Sequence, residues 1–300
     1  MKFTDPKVEW WPQESIAQQI AKVGRICYKA KGKQPPENLS EKERKDFEHK
    51  RDMERSKGFW QSGHRSMYRH GTCYFFVPNE NKLHTIHIWS LMVASPYIDY
   101  CVKGKHVWIS TNTQFMCEHE DLQHVLEHYA VDEAEFIEKA LKAQCTEALW
   151  LLRMTMVVTT QISTSRELNR TSPNAIAEQS TRYCNLKKKG GVQIARPYWY
   201  ADATRLQRFW FTLGCKVSSW IYNRLLCVGL PPEDARGVLP LDTYTVVAYT
   251  YSLIEWQHIL DLRYFGKTGR PHPNAKEVCG QIREIIQERM RQYDQNFIIE

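Results

Sequence analysis

The chain has 300 residues, of which 25% are charged and 42% are hydrophobic, and its formal net charge is +7 at pH 7. This length and composition are typical of a globular protein that buries a substantial core. The sequence contains no run of about 18 apolar residues, which argues against a membrane span. Its first 14 residues lack the apolar segment of a secretory signal peptide, so no such signal is expected.

Cysteine usage and net charge indicate the compartment and the kind of partner. The nine cysteines are odd in number and no two form a C-x-x-C pair, which predicts reduced thiols in a cytoplasmic setting. The positive charge suits an anionic partner, either a small phosphate compound or nucleic acid. The tightest basic run, residues 187–189, precedes two glycines as a solvated turn would, so nucleic acid is the less favoured partner.

The N-terminal part of the chain carries two helical patterns. Apolar residues spaced three and four apart predict a helix over 13–30. A very charged stretch over 35–57 predicts a solvated helical insertion. Within it, Ser40 and Glu43 have the spacing of a capping box, which marks the start of a helix.

The rest of the chain alternates between strand and helix patterns, without an internal repeat or linker. Runs of β-branched and aromatic residues predict strands over 72–77, 106–110, 156–162 and 192–199. Helical spacing predicts helices over 118–154 and 204–228, a short one from about 231, and longer ones over 243–264 and 275–293. The pattern predicts a single α+β domain over residues 1–300.

The stretch 165–185, SRELNRTSPNAIAEQSTRYCN, directly follows a predicted strand but is too polar to be core. Burying its charged and hydroxyl groups without partners would cost too much free energy. Guanidinium forks, hydroxyls and carboxylates together suit a phosphorylated, hydrogen-bonding small molecule. On composition alone, a solvated loop is an equal alternative.

A zinc-dependent hydrolase is a further alternative. His124-Val-Leu-Glu127-His128 fits the H-x-x-E-H pattern, with both histidines on one face of a predicted helix. Such a site needs a third ligand, and the sequence does not mark one out. Two histidines four apart on an exposed helix are common by chance in a chain with eleven histidines, so no metal is expected.

Read in order, several motifs resemble those of the flavin-dependent thymidylate synthases. The family signature is Arg-His-Arg, seven residues, Ser, and then Arg-Tyr. Here Arg170-Thr171-Ser172, seven residues, Ser180 and then Arg182-Tyr183 align with it without a gap. Further segments similar to the family lie between about residues 15 and 290, at 63–66, 69–70, 109–112, 235–240, 253–263 and 272–273.

The resemblance implies a fold and an activity. The family fold is α+β, with a central, mostly antiparallel sheet flanked by helices. The implied reaction transfers a one-carbon unit from methylenetetrahydrofolate to C5 of a pyrimidine nucleotide, dUMP by default, with FAD that NADPH reduces. The family also implies a homotetramer with shared active sites. The alternatives are a hydroxymethylase, a methylase of a related nucleotide such as dCMP or UMP, and a nucleotide-binding homologue without flavin chemistry.

The same resemblance assigns residues to the nucleotide and to the flavin side. The nucleotide-binding positions are Glu167, Arg170, Glu178, Ser180, Thr181, Arg182, Arg236 and Arg263. Of these, Arg182 is expected to polarise the pyrimidine as charge develops on it, with help from Arg170. The cofactor-binding positions are His64, Ser66, His70, Thr171, Ser172, Ser252, His258 and His272. Ser180 is not expected to be a nucleophile, because no His–Asp relay accompanies it.

The departures from the family pattern fall mainly on the flavin side. Thr171 and Ser172 replace the His and the second Arg of the triplet, and Arg69 stands where the family has Glu. In the late helix, Ser252 and Ile254 replace an Asn and an Arg that contact flavin in the family. The arginines on the phosphate side are retained. The sequence therefore predicts nucleotide binding more firmly than flavin use.

Overall fold

The structure is a computed structural model that describes residues 1–30, 32–78, 95–172, 174–294 and 297–299. Its strands are β1 (Lys2–Thr4), β2 (Lys7–Trp11), β3 (Thr72–Pro78), β4 (Ile98–Lys103), β5 (His106–Asn112), β6 (Ala130–Val131), β7 (Arg153–Gln161), β8 (Ile176–Glu178), β9 (Gln193–Ala195) and β10 (Tyr244–Ser252). Its α-helices are α1 (Ile16–Tyr28), α2 (Glu41–Gln61), α3 (Thr113–Glu118), α4 (Glu120–Leu126), α5 (Glu133–Lys142), α6 (Ile162–Asn169), α7 (Arg205–Cys227), α8 (Pro232–Ala235), α9 (Leu253–Leu260) and α10 (Pro273–Arg291).

The described strands form two four-stranded antiparallel sheets and one parallel pair. In the first sheet, of order β2-β7-β10-β8, the central strands β7 and β10 pair along their whole length. The second sheet has the order β4-β5-β3-β6, and β1 pairs with β9. The predicted α+β class with mostly antiparallel strands is confirmed. Its strands are divided between two sheets where the resemblance implied one central sheet.

One hydrophobic core connects the two sheets. It contains Tyr74 and Trp108 from the second sheet and Met156 and Tyr249 from the first, each almost fully buried. Trp256 of α9 joins the same core and donates its indole N–H to the carbonyl of Met154 in β7, at 3.1 Å. This shared core supports the prediction of a single domain, which stays a prediction.

Polar signals in the sequence determine where two of the helices begin. The predicted capping box is confirmed: the N–H of Glu43 donates to Ser40 Oγ, and Ser40 N–H donates to Glu43 Oε2 at 2.9 Å. The charged insertion is therefore helical, as α2. A second capping box, formed by Ser252 and Glu255, begins α9 directly after β10. A side chain at this turn thus lies at the end of a central strand.

Most of the predicted elements are confirmed by the structure. The helices expected over 13–30, 204–228 and 275–293 and the short one from 231 are α1, α7, α10 and α8, and three of the expected strands are β3, β5 and β7. The strand expected over 192–199 is shorter, since β9 ends at Ala195 and a 3₁₀ turn covers Tyr198–Tyr200. Among the described residues, no helix combines the length and apolar character needed to cross a bilayer.

The helix predicted over 243–264 is wrong for its first half. Tyr244–Ser252 forms β10, and only Leu253–Leu260 is α-helical, followed by a π-helical turn over Asp261–Phe265. Both faces of β10 are covered: Val247 and Tyr249 pack into the main core, and Ala248 packs into a second cluster with residues of α1. A strand buried on both faces lacks the polar–apolar alternation that identifies a strand in sequence.

The continuous helix predicted over 118–154 is also wrong. This region contains α4, a 3₁₀ turn over Glu127–Tyr129, β6, α5 and a second 3₁₀ turn over Thr146–Leu151. Asp132 breaks the pattern, because its side chain accepts the N–H of Glu135 and caps the start of α5. The last two predicted helical residues belong to β7.

Candidate functional site

A cavity of about 630 Å³ opens where the polar stretch leaves the first sheet. Its walls come from α6, from the chain that follows β8, and from the turn after α8. The residues that line it are Ile162, Arg166, Glu178, Gln179, Ser180, Thr181, Arg236, Gly237, Leu239, Pro240 and Leu241. Four residues assigned to the nucleotide by resemblance, Glu178, Ser180, Thr181 and Arg236, are therefore brought together here.

Backbone pairing positions the chain that forms one wall of the cavity. β8 pairs with β10 up to Glu178, and the N–H of Gln179 then donates to the carbonyl of Val246 at 2.8 Å. The next N–H, that of Ser180, donates to the carbonyl of Cys27 at the end of α1, at 2.9 Å. The sheet and α1 thus hold residues 178–180 from two sides.

The carboxylate of Glu178 is oriented by donors from two elements. Its Oε1 accepts hydrogen bonds from Ser165 Oγ at 2.8 Å and from Thr245 Oγ1 at 2.9 Å. Asn169 Nδ2 lies 3.4 Å from the other oxygen. Because a carboxylate has about four acceptor sites, Glu178 can still accept a hydrogen bond from a ligand.

The side chain of Ser180 stabilises a tight turn with Arg182 and Tyr183. Its Oγ accepts the N–H groups of Arg182 and Tyr183, each at 3.2 Å. The hydroxyl oxygen is thus an acceptor for the backbone, and its proton is available for a ligand in the cavity. This arrangement supports a binding role for Ser180.

Arg182 and Arg236 share a partner at the mouth of the cavity. Arg182 Nε donates to Glu233 Oε2 at 2.6 Å, and this bond raises the pKa of Arg182. Arg236 Nε donates to the backbone carbonyl of Glu233 at 3.0 Å, while its Nη1 donates to Thr181 Oγ1 at 2.8 Å. Arg182 is mostly exposed and does not line the cavity, so in this conformation Glu233 holds it beside the opening.

The remaining residues assigned to the nucleotide do not line this cavity. Arg170 is exposed at the C-terminal end of α6. Arg263 donates from Nε to the backbone carbonyl of Glu167 at 3.2 Å. None of these three residues lines the cavity within the part of the chain that the structure describes.

Two residues assigned to the flavin side meet at Glu255, the N3 residue of α9. Ser172 Oγ donates to Glu255 Oε1 at 3.0 Å, and Ser252 N–H donates to Oε2 at 3.1 Å. Asn174 donates to the same carboxylate at 2.5 Å, and the buried guanidinium of Arg153 lies 3.8 Å from it. Ser172, which replaces the second Arg of the triplet, is therefore hydrogen-bonded inside the protein.

His70, also assigned to the flavin side, has no exposed surface. Its Nδ1 is 2.8 Å from Thr250 Oγ1, and its Nε2 has no hydrogen-bond partner among the described residues. Burial, together with the nearby positive charge of Arg153, lowers the pKa of His70 to about 3. His70 is therefore neutral and packed beneath the surface.

The other flavin-side residues are spread over the surface. His64 and Ser66 are exposed before β3, and His64 Nδ1 lies 3.2 Å from Ser62 Oγ. Thr171 Oγ1 donates to the carbonyl of Leu168. His258 is exposed on α9, and His272 caps α10 by accepting the N–H of Asn274 at 3.2 Å. The structure does not bring these side chains together within one chain.

Sequence reasoning missed several residues that line the cavity. Arg166 and Ile162 lie four residues apart on one face of α6, and both face the cavity. That spacing, in a stretch already identified as polar, was a usable signal. Gln179 and Leu241 also line the cavity. Leu241 carried no signal, because its position depends on the turn that follows α8.

The spacing argument for a zinc site does not hold in the structure. α4 ends at Leu126, so His124 and His128 lie on different elements, the second on a 3₁₀ turn. His124 Nδ1 lies 3.8 Å from Glu127, and both side chains are exposed. The described residues contain no group of three His, Cys, Asp or Glu that could hold a metal ion.

Comparison with known proteins identifies the family. The sequence model described as "Thymidylate synthase complementing protein" matches residues 98–290, which is more than half of the chain. The chain belongs to this family. The match covers every residue that lines the cavity, while the segment with His64 and His70 lies outside it. The cavity is therefore built within the region that the family model matches.

Individual relatives are more distant. A probable flavin-dependent thymidylate synthase of Paramecium bursaria Chlorella virus 1 is 33% identical over 79 residues, which are 25% of this chain and 37% of that protein. The chain thus matches little more than a third of the length of this relative.

Two solved structures of a UMP/dUMP methylase, PolB from Streptomyces cacaoi, are also similar. The complex with 5-Br dUMP is 24% identical, covering 52% of this chain and 77% of that one, with a TM-score of 0.41. The complex with 5-Br UMP is 21% identical, covering 55% and 83%, with a TM-score of 0.42.

Proposed function

We propose that this protein binds a pyrimidine nucleoside monophosphate, dUMP by default, in the cavity beside α6. The observation that carries the proposal is that Glu178, Ser180, Thr181 and Arg236, each assigned to the nucleotide by resemblance, line one cavity. Its volume of about 630 Å³ is within the usual range for small-molecule sites.

The basic side of the cavity is suited to the phosphate. Arg166 and Arg236 line it, and guanidinium groups bind phosphate oxygens through two parallel hydrogen bonds while keeping their charge. The hydroxyl proton of Ser180 and the backbone N–H of Thr181 would complete the phosphate cradle. On the other side, the fixed carboxylate of Glu178 would accept a hydrogen bond from the sugar or the base.

The proposed reaction is transfer of a one-carbon unit from methylenetetrahydrofolate to C5 of the pyrimidine. Family membership supports this reaction. FAD reduced by NADPH would supply the hydride. Arg182 would move from Glu233 to the pyrimidine and polarise it as charge develops, with Arg170 assisting. Transfer of a hydroxymethyl group, or reaction with UMP or dCMP, are variants of the same proposal.

A second candidate function is nucleotide binding without flavin chemistry. The observation that favours it is that residues assigned to the flavin side are buried or hydrogen-bonded within the protein. Ser172 and Ser252 both hydrogen-bond Glu255, and His70 is fully buried. In this conformation these three side chains do not fit a flavin contact. For the flavin reaction, other residues of the protein would have to contact the flavin.

Two measurements distinguish these functions. If the protein uses flavin, the purified protein has a flavin absorbance spectrum or acquires one with added FAD, and releases tritium from 5-labelled dUMP with methylenetetrahydrofolate and NADPH. A colourless protein that binds no added flavin but binds dUMP in calorimetry supports the second candidate. A protein that binds neither flavin nor any pyrimidine monophosphate contradicts both.

We also propose a homotetramer with active sites shared between subunits. Arg170, Arg263 and the exposed histidines His258 and His272 do not line the cavity in one chain. A neighbouring subunit that places its own copies of such residues beside the cavity would complete the site.

The nine cysteines, none of them in a disulfide, further support a reducing, cytoplasmic setting.

Substitution of the basic residues tests the nucleotide site directly. We expect Arg236→Ala to weaken dUMP binding by at least about tenfold, because a charged hydrogen bond to phosphate is lost. Arg182→Ala should also weaken binding severely. Arg270→Ala, at an exposed position in the loop before α10, is the matched control. Isothermal titration calorimetry with dUMP measures each affinity, and unchanged affinity in Arg236→Ala would contradict the assigned site.

A further inference from the structure

A second cavity, of about 500 Å³, lies against the second sheet and shares no lining residue with the nucleotide cavity. It is enclosed by the turn between β2 and α1, by β3 and β6, and by α3. The residues that line it are Gln13, Glu14, Ser15, Ile16, Thr72, Cys73, Tyr74, Phe75, Thr113, Met116, Cys117, Gln123, Glu127, Ala130, Val131, Asp132 and Glu133.

The floor of this cavity is apolar. Phe75 and Met116 are buried side chains of the hydrophobic cluster beneath the second sheet. Val131 of β6 pairs across from Tyr74, and Ile16 at the start of α1 lines the opposite wall. Such a surface favours an aromatic or aliphatic group of a ligand, because contact removes apolar area from water.

The charged groups around this floor are all acidic. Glu14, Glu127, Asp132 and Glu133 line the cavity, and none of the described residues that line it is Lys, Arg or His. Asp132 Oδ1 accepts the N–H of Glu135 at 2.8 Å, and Glu133 accepts from Tyr74 and pairs with Arg289, which does not line the cavity. These carboxylates keep further acceptor sites for a ligand.

This charge distribution argues against anionic ligands such as the nucleotide, the flavin and the folate of the proposed function. A nucleotide, a flavin dinucleotide and a folate all carry phosphate or carboxylate groups. The four lining carboxylates would repel such groups, since none of the described residues that line this cavity is Lys or Arg. The nucleotide cavity instead presents Arg166 and Arg236. Burial raises the pKa of Glu133, because desolvation destabilises the charged form of its carboxyl group. A bound cation would stabilise that charged form.

We propose that this second cavity binds an organic cation, namely a protonated amine that carries an aryl or alkyl group. The apolar group contacts Phe75 and Met116, and the ammonium group donates hydrogen bonds to the carboxylates, chiefly those of Glu14 and Glu127, which are exposed at the rim. This proposal does not depend on the nucleotide function.

The test uses the full chain and three probes that differ only in charge. These are 4-phenylbutylammonium, the neutral 4-phenylbutanol and the anionic 4-phenylbutyrate, titrated at pH 7 by calorimetry or ligand-observed NMR. We expect the ammonium probe to bind at least about tenfold more tightly than the alcohol, and the carboxylate probe not to bind. Equal binding of ammonium and alcohol, or no binding of the ammonium probe, would overturn the proposal.

Variants locate the bound probe. We expect Glu14→Gln with Glu127→Gln to weaken ammonium binding by about tenfold or more. Ala130→Trp, an exposed position that lines the cavity, should fill the space and abolish binding. Glu120→Gln, exposed on α4 and outside the lining, is the matched control. Circular dichroism verifies that each variant folds, and unchanged affinity in both cavity variants would refute the assigned site.

Discussion

Single residues at the mouth of the nucleotide cavity control how much positive charge is available. Glu233 pairs with Arg182, and its carbonyl accepts from Arg236, so its negative charge lies beside the opening of the nucleotide cavity. Both partners of the ion pair are largely exposed, and such pairs contribute little to stability. Glu233 is therefore better understood as a competitor of the ligand than as a stabilising group.

Replacing this carboxylate should strengthen nucleotide binding. We expect Glu233→Gln to tighten dUMP binding on the order of threefold, because the pyrimidine no longer competes with a carboxylate for Arg182. The gain should shrink as salt rises, since exposed charges are screened. Calorimetry at 50 and 300 mM salt measures both effects, with Glu54→Gln on α2 as control. Weaker binding in Glu233→Gln would show that Glu233 contacts the ligand itself.

His70 makes stability depend on pH in a direction fixed by its environment. Burial lowers the pKa of His70 to about 3 from the ordinary 6.5, so the unfolded chain takes up a proton that the folded chain does not. Its contribution to stability is complete above pH 6.5 and is lost as the pH falls from 6.5 towards 3. The expected loss is about 1.4 kcal/mol per pH unit within that window.

Urea unfolding at pH 6.5 and 5.0 tests this dependence. We expect the wild-type protein to lose about 2 kcal/mol from His70 over this interval, and His70→Gln to show a correspondingly smaller loss. The change with pH is compared within each variant, so an overall destabilisation of His70→Gln does not affect the result. Equal pH dependence in the two proteins would mean that the pKa of His70 is the same in the folded and unfolded chains.

At the scale of elements, α7 presents an apolar stripe to the exterior. Leu206, Trp210, Leu213, Val217 and Trp220 follow one another at alternating intervals of four and three residues, and each is between 38% and 65% exposed. This spacing is that of a seam between two helices. An exposed stripe of this size marks an interaction surface. The proposed homotetramer offers a second copy of the chain as its partner.

The stripe predicts which substitution disrupts self-association. We expect Leu213→Glu to shift the protein to a smaller species in sedimentation velocity, because a charge in the seam loses its hydration. Leu141→Glu, at a residue of similar exposure on α5, is the matched control and should leave the assembly unchanged. If Leu213→Glu sediments like the unaltered protein, α7 is not the contact between subunits.

The sequence predicted elements that carry an amphipathic pattern and missed those that do not. α1, α7 and α10 have an apolar face with helical spacing, and α2 begins at a capping box, so local signals were sufficient. β10 is buried on both faces, and its pattern could not be distinguished from that of a helix. Its identity as a central strand depends on pairing with β7 and β8, which are distant in sequence.

The candidate site shows the same limit. The resemblance identified Glu178, Ser180, Thr181 and Arg236 because the family motifs are continuous in sequence. It did not indicate that Glu233 holds Arg182, a contact across 51 residues, or that Ser172 donates to Glu255, across 83 residues. Such contacts depend on how α6, α8 and α9 pack together. They decide which of the predicted side chains are free to meet a ligand.

At the scale of the whole molecule, the two cavities have opposite charge. The nucleotide cavity joins α6, the end of β8 and the turn after α8, which are distant in sequence. A ligand that contacts all three would stabilise the folded state over the unfolded chain, because only the folded chain assembles the site. The second cavity, with its four carboxylates, should not contribute to binding of an anion.

Thermal unfolding with matched ligands tests this separation. At a dUMP concentration about 100 times its dissociation constant, we expect stabilisation by about 2.7 kcal/mol, which raises the unfolding temperature by roughly 5 °C. Deoxyuridine, which lacks the phosphate, should produce little shift, because Arg166 and Arg236 then have no anion to bind. Arg236→Ala should reduce the dUMP shift, while Glu127→Gln should retain it, since Glu127 lines the other cavity. Equal shifts with dUMP and deoxyuridine would show that the protein does not recognise the phosphate, contrary to the proposal.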